Sequence, residues 1–217
     1  MADNPLASLP PQAFARHDET PDQEFYRFER LVTHIDAAAV AAVTQLYRQF
    51  LPAGGAVLDL MSSWVSHLPA EVQYGRVAGL GMNARELSQN PRLTDHLVQN
   101  LNEQPRLPYA DAEFDGAGIC VSVQYLTQPA AVFSELARVL RPGAPLVVTF
   151  SNRCFPDKAV YAWQALDDRG HVALVQQYFA AGGFGPTEVF GHQPKYGDPL
   201  FGIVGRTQVE PLPPTNS

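Results

Sequence analysis

Only two of the 217 residues are cysteine, Cys120 and Cys154, and they stand far apart. That leaves no disulfide framework and no zinc-ligand spacing, and it points to a reducing, cytoplasmic setting. Basic residues are in the minority: 15 Lys and Arg against 22 Asp and Glu give a formal charge of -7, with no dense cationic stripe. A nucleic-acid backbone is therefore not an expected partner. No apolar run reaches the length of a membrane span, and the first residues lack the basic segment and apolar core of a secretion signal. No G-x-G-x-x-G turn follows the first strand pattern. The glycine-rich run Ala181-Gly182-Gly183-Phe184-Gly185 follows a helical pattern instead, which counts against a nicotinamide-dependent oxidoreductase.

What is present is an alternation of short apolar runs with helical periodicity, which indicates one α/β domain built on a parallel sheet. Residues 1–24 are rich in proline and polar residues and read as a flexible arm; 25–208 read as a single domain and 209–217 as a tail. Val40, Val43, Tyr47, Phe50 and Leu51 share one face of a helix over 35–51, with Thr33 as its expected cap. Strands are expected at 56–60, 76–80, 96–101, about 114–121 and 145–150. Two further helices, near 157–168 and 170–181, precede a final pair of strands at 187–192 and 200–207. Asn83 and Glu86 have the spacing of a capping box opening a short helix. The whole predicts a seven-stranded sheet in the order 3-2-1-4-5-7-6 with helices on both faces, the last two strands forming an antiparallel hairpin.

Three segments carry a family resemblance. Ala56-Val57-Leu58-Asp59-Leu60-Met61-Ser62-Ser63 is a buried strand ending in an acid and a small-residue turn. It resembles motif I, V-L-D-x-G-x-G-x-G, of class I S-adenosylmethionine (SAM)-dependent methyltransferases. Leu107-Pro108-Tyr109-Ala110-Asp111-Ala112-Glu113-Phe114-Asp115 and Leu136-Ala137-Arg138-Val139-Leu140-Arg141-Pro142-Gly143 are similar to two further segments of the family grouped as type 11. The chain also resembles a subgroup that shares the glycine-poor Leu-Asp-Leu-Met-Ser-Ser-Trp stretch. The resemblance implies SAM as cofactor and a methyl acceptor that is a small molecule. It also implies a cofactor site at Asp59, Met61, Ser62, Ser63, Gly81, Met82 and Asn102.

The departures bear on the chemistry. Met61, Ser63 and Val65 stand where the family has glycines that let backbone amides approach the ligand. Gly81 stands near the family's ribose-binding acid and has no acceptor to offer. Asn102 is the candidate contact to adenine, or an ordinary turn residue. On the substrate side the candidates are Tyr26, His34, His67, Gln124, Tyr125, Asn152 and Arg153. The aromatic segment from Phe25 to Leu31 is read as a lid or as surface packing. Either histidine is a base near neutral pH or a structural imidazole. Arg153 is an anion partner or a surface charge. His34, Asp36 and His67 have no metal-ligand spacing, so no metal site is expected. The resemblance implies a SAM-dependent methyltransferase; the alternative is a catalytically degenerate relative serving as a binding or scaffold subunit. Nothing in the sequence sets the acceptor or the oligomeric state.

Overall fold

The computed structural model describes residues 5–209; residues 1–4 and 210–217, with most of the expected tail, lie outside the described residues. In chain order the elements are α1 (Asp22–Phe25), α2 (Ala37–Phe50), β1 (Ala56–Ser62), β2 (Arg76–Gly81), α3 (Ala84–Gln89), β3 (Asp95–Val98) and β4 (Gly116–Cys120). There follow α4 (Pro129–Val139), β5 (Pro145–Phe150), α5 (Tyr161–Gln164), α6 (Asp168–Ala181), β6 (Glu188–His192) and β7 (Leu200–Arg206). The seven strands form one sheet in the order β3-β2-β1-β4-β5-β7-β6, as expected. β1 to β5 pair in parallel, while β7 runs antiparallel to both β5 and β6.

Strand periodicity divides the core between the two faces. Leu58 and Leu60 of β1 and Leu146, Val148 and Phe150 of β5 join one cluster, which includes Phe133 and Leu136 of α4 and Phe179 of α6. Val57 and Val147, one residue out of phase, join Val43, Leu46 and Tyr47 of α2 on the other face. Alternating side chains of a strand must point to opposite faces, so each strand supplies both layers. The glycine in β4 at Gly118 is a packing requirement, because a Cβ there would sit 2.7 Å from the Tyr47 hydroxyl.

The cap of α2 differs from expectation. Asp36, not Thr33, accepts the Ala39 amide at 2.9 Å, and it also accepts the Asp198 amide at 2.8 Å while its own amide donates to Asp198 Oδ2. The start of α2 is thereby tied to the loop before β7. The helix expected over 157–168 is reduced to the single turn of α5.

The segment read as a flexible arm is laid against the body from residue 5 onward. Leu6 lies in the core cluster, and Ala13 and Asp22 are buried. Its anchor is a buried ionic group. Lys158, fully buried, lies 3.1 Å from Asp18 Oδ2 and 3.4 Å from Asp22 Oδ1, and donates to the Thr20 carbonyl at 2.7 Å. Arg16 donates to Asp22 Oδ1 at 2.7 Å. Buried charges persist only when paired and hydrogen-bonded in this way.

The two longer segments of the family resemblance brace each other. Arg138 on α4 donates to the carbonyls of Leu107 and Tyr109 and pairs with Asp111 at 2.7 Å. Asp115 accepts the Ala56 amide and pairs with Arg141. These contacts hold the start of β4 against the end of α4.

Candidate functional site

Ligands of open α/β sheets bind beyond the carboxyl ends of the strands, where the strand order reverses. In this chain that place lies between β1 and β4. A cleft of ≈ 450 Å³ opens there, within the range of small-molecule sites. Its walls come from the ends of β1, β2 and β4, the start of α3, the turn after β5 and the arm. Met61, Ser62, Ser63, Gly81, Met82 and Asn102 line it, as do Tyr26, His34, Tyr125, Asn152 and Arg153. Asp59, His67 and Gln124, also expected at the site, are not part of its lining.

Asp59 is withdrawn because the bend after β1 folds two serines over it. Ser62 and Ser66 both donate to its Oδ2 at 2.6 Å. Burial raises its pKa to about 6, against the lowering effect of the two hydroxyls. Asn90 then joins Ser66 Oγ at 2.8 Å to the Ser63 carbonyl at 2.9 Å. The carboxylate thus shapes the 61–66 turn from behind. Gln124 is fully buried and donates to the Val121 carbonyl. His67 sits outside the lining, with its carbonyl accepting from Thr44. Burial lowers the basicity of both His34 and His67, and the proximity of His34 lowers His67 further.

The backbone of the turn is unusual at the first of the positions where the family has glycine. Met61 has φ 58°, the left-handed conformation that glycine adopts without cost and that other residues adopt at about 1–2 kcal/mol. The position keeps the glycine-like backbone although the glycine is gone. Met61 is also the extra residue of a bulge: Leu60 pairs with Leu80 and Ser62 with Gly81, leaving Met61 unpaired. That bulge fixes Gly81. A Cβ on residue 81 would collide with the carbonyl oxygen of Ser62. An acidic side chain at the end of β2 and this bulge in β1 are sterically incompatible, so the two departures from the family pattern are one structural change. A second strained residue, Val121 with φ 42°, stands at the end of β4 in the same cleft; left-handed backbone at a β-branched residue is rare and concentrates at functional sites.

The polar groups of the cleft are already heavily used. Ser62 Oγ is spent on Asp59, and Ser63 Oγ donates to Glu86 Oε2 at 2.7 Å. Asn102 donates to Asp22 at 2.9 Å and to the Tyr125 carbonyl at 3.0 Å, and accepts the Thr127 amide at 2.8 Å. It is a tie between arm and body, and its side-chain amide has little left for an adenine edge. Ser122 at the end of β4 is different: its hydroxyl is buried in the cleft wall with no partner.

The arm closes one side. Asn83 caps α3 and donates to the Tyr26 carbonyl at 2.8 Å; Glu86 accepts the Arg30 amide at 2.7 Å; Trp64 donates to the Val32 carbonyl at 3.0 Å. Tyr26 faces the cleft, whereas Phe28 is 64% exposed and turned away. Arg30 lies over the rings of Phe25 and Phe155, at 4.4 and 5.4 Å. Tyr125 accepts the Phe155 amide at 2.9 Å and is pushed up to about 12 by burial. Sequence reasoning missed Glu86 as a wall of the site, since its spacing from Asn83 reads as a capping box. Its side chain instead reaches outward to Ser63 and Arg30. It missed the Lys158 anchor because nothing local marks a surface-type residue as buried. Among the described residues no group of three His, Cys, Asp or Glu is placed to hold a metal ion, and no helix is long and apolar enough to cross a membrane.

Comparison with known proteins agrees with this architecture. Residues 65–148 match the family described as methyltransferase domain, a domain that uses SAM. A malonyl-[acyl-carrier protein] O-methyltransferase of Pseudescherichia vulneris is 34% identical over 107 residues, covering 46% of this chain and 41% of that protein. The chain thus spans less than half the length of that relative. A SAM-dependent methyltransferase of Thermotoga maritima superposes with a TM-score of 0.57 at 16% identity, over 78% of this chain and 90% of that one. A phosphoethanolamine N-methyltransferase of Haemonchus contortus, solved with phosphomonomethylethanolamine and S-adenosylhomocysteine, gives 0.57 at 12% identity, over 80% and 53%. The fold is that of the class I SAM-dependent methyltransferases.

Proposed function

We propose that this chain is a SAM-dependent methyltransferase acting on a small-molecule acceptor. The observation that carries the reading is the cleft at the carboxyl ends of β1, β2 and β4. The methyltransferase-domain match supports it from the sequence side. Met61, Ser62, Ser63, Gly81 and Met82 would hold the cofactor. The bound sulfonium supplies an electrophilic methyl group for an in-line displacement. The chain's own part is alignment of the acceptor and exclusion of water, which such a displacement needs more than a dedicated catalytic group.

The substrate side is the opening between the arm and the turn after β5, lined by Tyr26, His34, Asn152 and Arg153. His34 stands at the mouth with lowered basicity, so it is neutral at physiological pH and able to accept a proton from an acceptor hydroxyl or amine. Arg153, 64% exposed and 3.8 Å from Asp198, offers a guanidinium to an anionic group. The relative named above methylates a carrier-bound malonyl group; a carboxylate acceptor is one that this mouth would accommodate.

The withdrawn Asp59 and the saturated Asn102 favour the competing reading, a binding or scaffold subunit that keeps the fold without the transfer. The two are separated by what the protein carries from the cell. Purified protein is denatured and the released small molecules are identified by mass spectrometry. SAM or S-adenosylhomocysteine in near-stoichiometric amount supports the enzyme. Release of neither, from protein that also fails to take up added SAM, leaves the scaffold reading standing.

A further inference from the structure

The bulge at Met61 removes the acidic side chain from the end of β2, yet a carboxylate lines the same wall one helical turn onward. Glu86 on α3 is buried, 9% exposed, and faces the cleft beside Gly81, Met82 and Ser63. Its partners are neutral donors, one to each oxygen: the Arg30 amide at 2.7 Å on Oε1 and the Ser63 hydroxyl at 2.7 Å on Oε2. A carboxylate has about four acceptor positions on its two oxygens, so each oxygen retains one. Two adjacent free acceptors match two adjacent hydroxyl donors. Among the neighbouring amides, Asn83 is spent on α3 and Tyr26, Asn102 on Asp22 and Tyr125, and the Gln99 Nε2 on the carbonyls of Gln104 and Arg106. In doubly wound sheets the acid that takes nucleotide ribose hydroxyls stands by the second strand.

Resting on the cofactor reading above, we propose that Glu86 is the ribose-binding acid of this protein, accepting both hydroxyls of the adenosyl group in place of a side chain at position 81. The Met61 bulge, Gly81 and Glu86 then form one exchange. The bulged β1 occupies the space of the acid, and α3 supplies another from its first turn. Because Ser63 and Arg30 hold the carboxylate, cofactor binding is also coupled to the position of the arm.

The test uses the full chain and two probes, S-adenosylhomocysteine and its 2′,3′-dideoxy analogue as the deoxy probe, titrated calorimetrically against wild type and Glu86→Gln. A hydrogen bond to a charged acceptor sets the wild-type preference for the ribose form at roughly tenfold or more. In Glu86→Gln the affinity for S-adenosylhomocysteine falls by about that factor while the deoxy analogue changes little, so the preference collapses. A preference retained in the variant, or equal losses for both probes, overturns the assignment. Wild type binding both probes equally also overturns it, and that result needs no folded variant. Wild type binding neither removes the cofactor reading itself and Glu86 with it, a result distinct from loss of preference alone.

Discussion

Replacing Asp59 by Asn isolates the cost of holding a buried carboxylate behind the cleft. The folded protein raises the pKa of Asp59 from 3.8 to about 6, with burial as the main cause. Between those values the folded state binds a proton that the unfolded state has released. The contribution of Asp59 to stability is therefore fully present below about pH 4 and is lost as pH rises through about 6. Two pH units correspond to about 3 kcal/mol, all of it absent at pH 8. Both serine hydroxyls donate to the same oxygen, Oδ2, so an amide carbonyl in that place retains both bonds. The variant has no charge to lose and its stability omits this dependence. Paired urea unfolding curves at pH 4, 5, 6, 7 and 8 measure it as a difference. The carboxylates held low by their partners, such as Asp95 beside Arg76 and Glu135 beside Arg138, carry the opposite sign and cancel in the subtraction. The variant gains on wild type by about 2.5 kcal/mol from pH 4 to pH 8, most of it between pH 4 and 6. A pH-independent difference, or one running the other way, refutes the reasoning.

Gly81→Ala places a methyl group against the Ser62 carbonyl and lowers stability by about 3 kcal/mol or more, whereas Gly191→Ala, with open space around it, stays within about 0.5 kcal/mol; denaturant unfolding of both variants decides, and a tolerated Ala at 81 contradicts the bulge argument. Lys158→Met leaves Asp18 and Asp22 without their buried cation and costs about 3–5 kcal/mol; limited proteolysis should cut within 16–22 much faster than in wild type, and unchanged cleavage would show that Arg16 alone holds the arm. Tyr26→Ala opens the arm side of the cleft without touching the Asn83 contact, which is to the Tyr26 carbonyl. It should weaken SAM binding severalfold with an unchanged melting temperature, and undiminished affinity would remove Tyr26 from the site.

The fold was legible because its signals are local and repeated. Strands such as Pro145–Phe150 alternate between the two core layers, Asn83 caps α3 as its spacing predicts, and the Leu107–Asp115 and Leu136–Gly143 segments carry the contacts that lock β4 to α4. Those segments lie away from the cleft, which is why they identify the architecture better than they identify a site. The site depended on contacts between distant residues. Asp59 was expected at the end of β1, but the strand runs on to Ser62, and two serines three and seven residues on hold the carboxylate inward. Asn102 has the right side chain near the right strand, yet Asp22, 80 residues away, claims it. Gly81 read as the loss of an acid, while its cause, the Ser62 carbonyl displaced by a left-handed Met61, is visible only in the paired strands.

Titration calorimetry of the intact protein with SAM tests the central claim most directly. The account predicts saturable binding to one site per chain, displaced competitively by S-adenosylhomocysteine. No heat of binding at millimolar SAM, from a sample whose unfolding curve shows it to be folded, would contradict it.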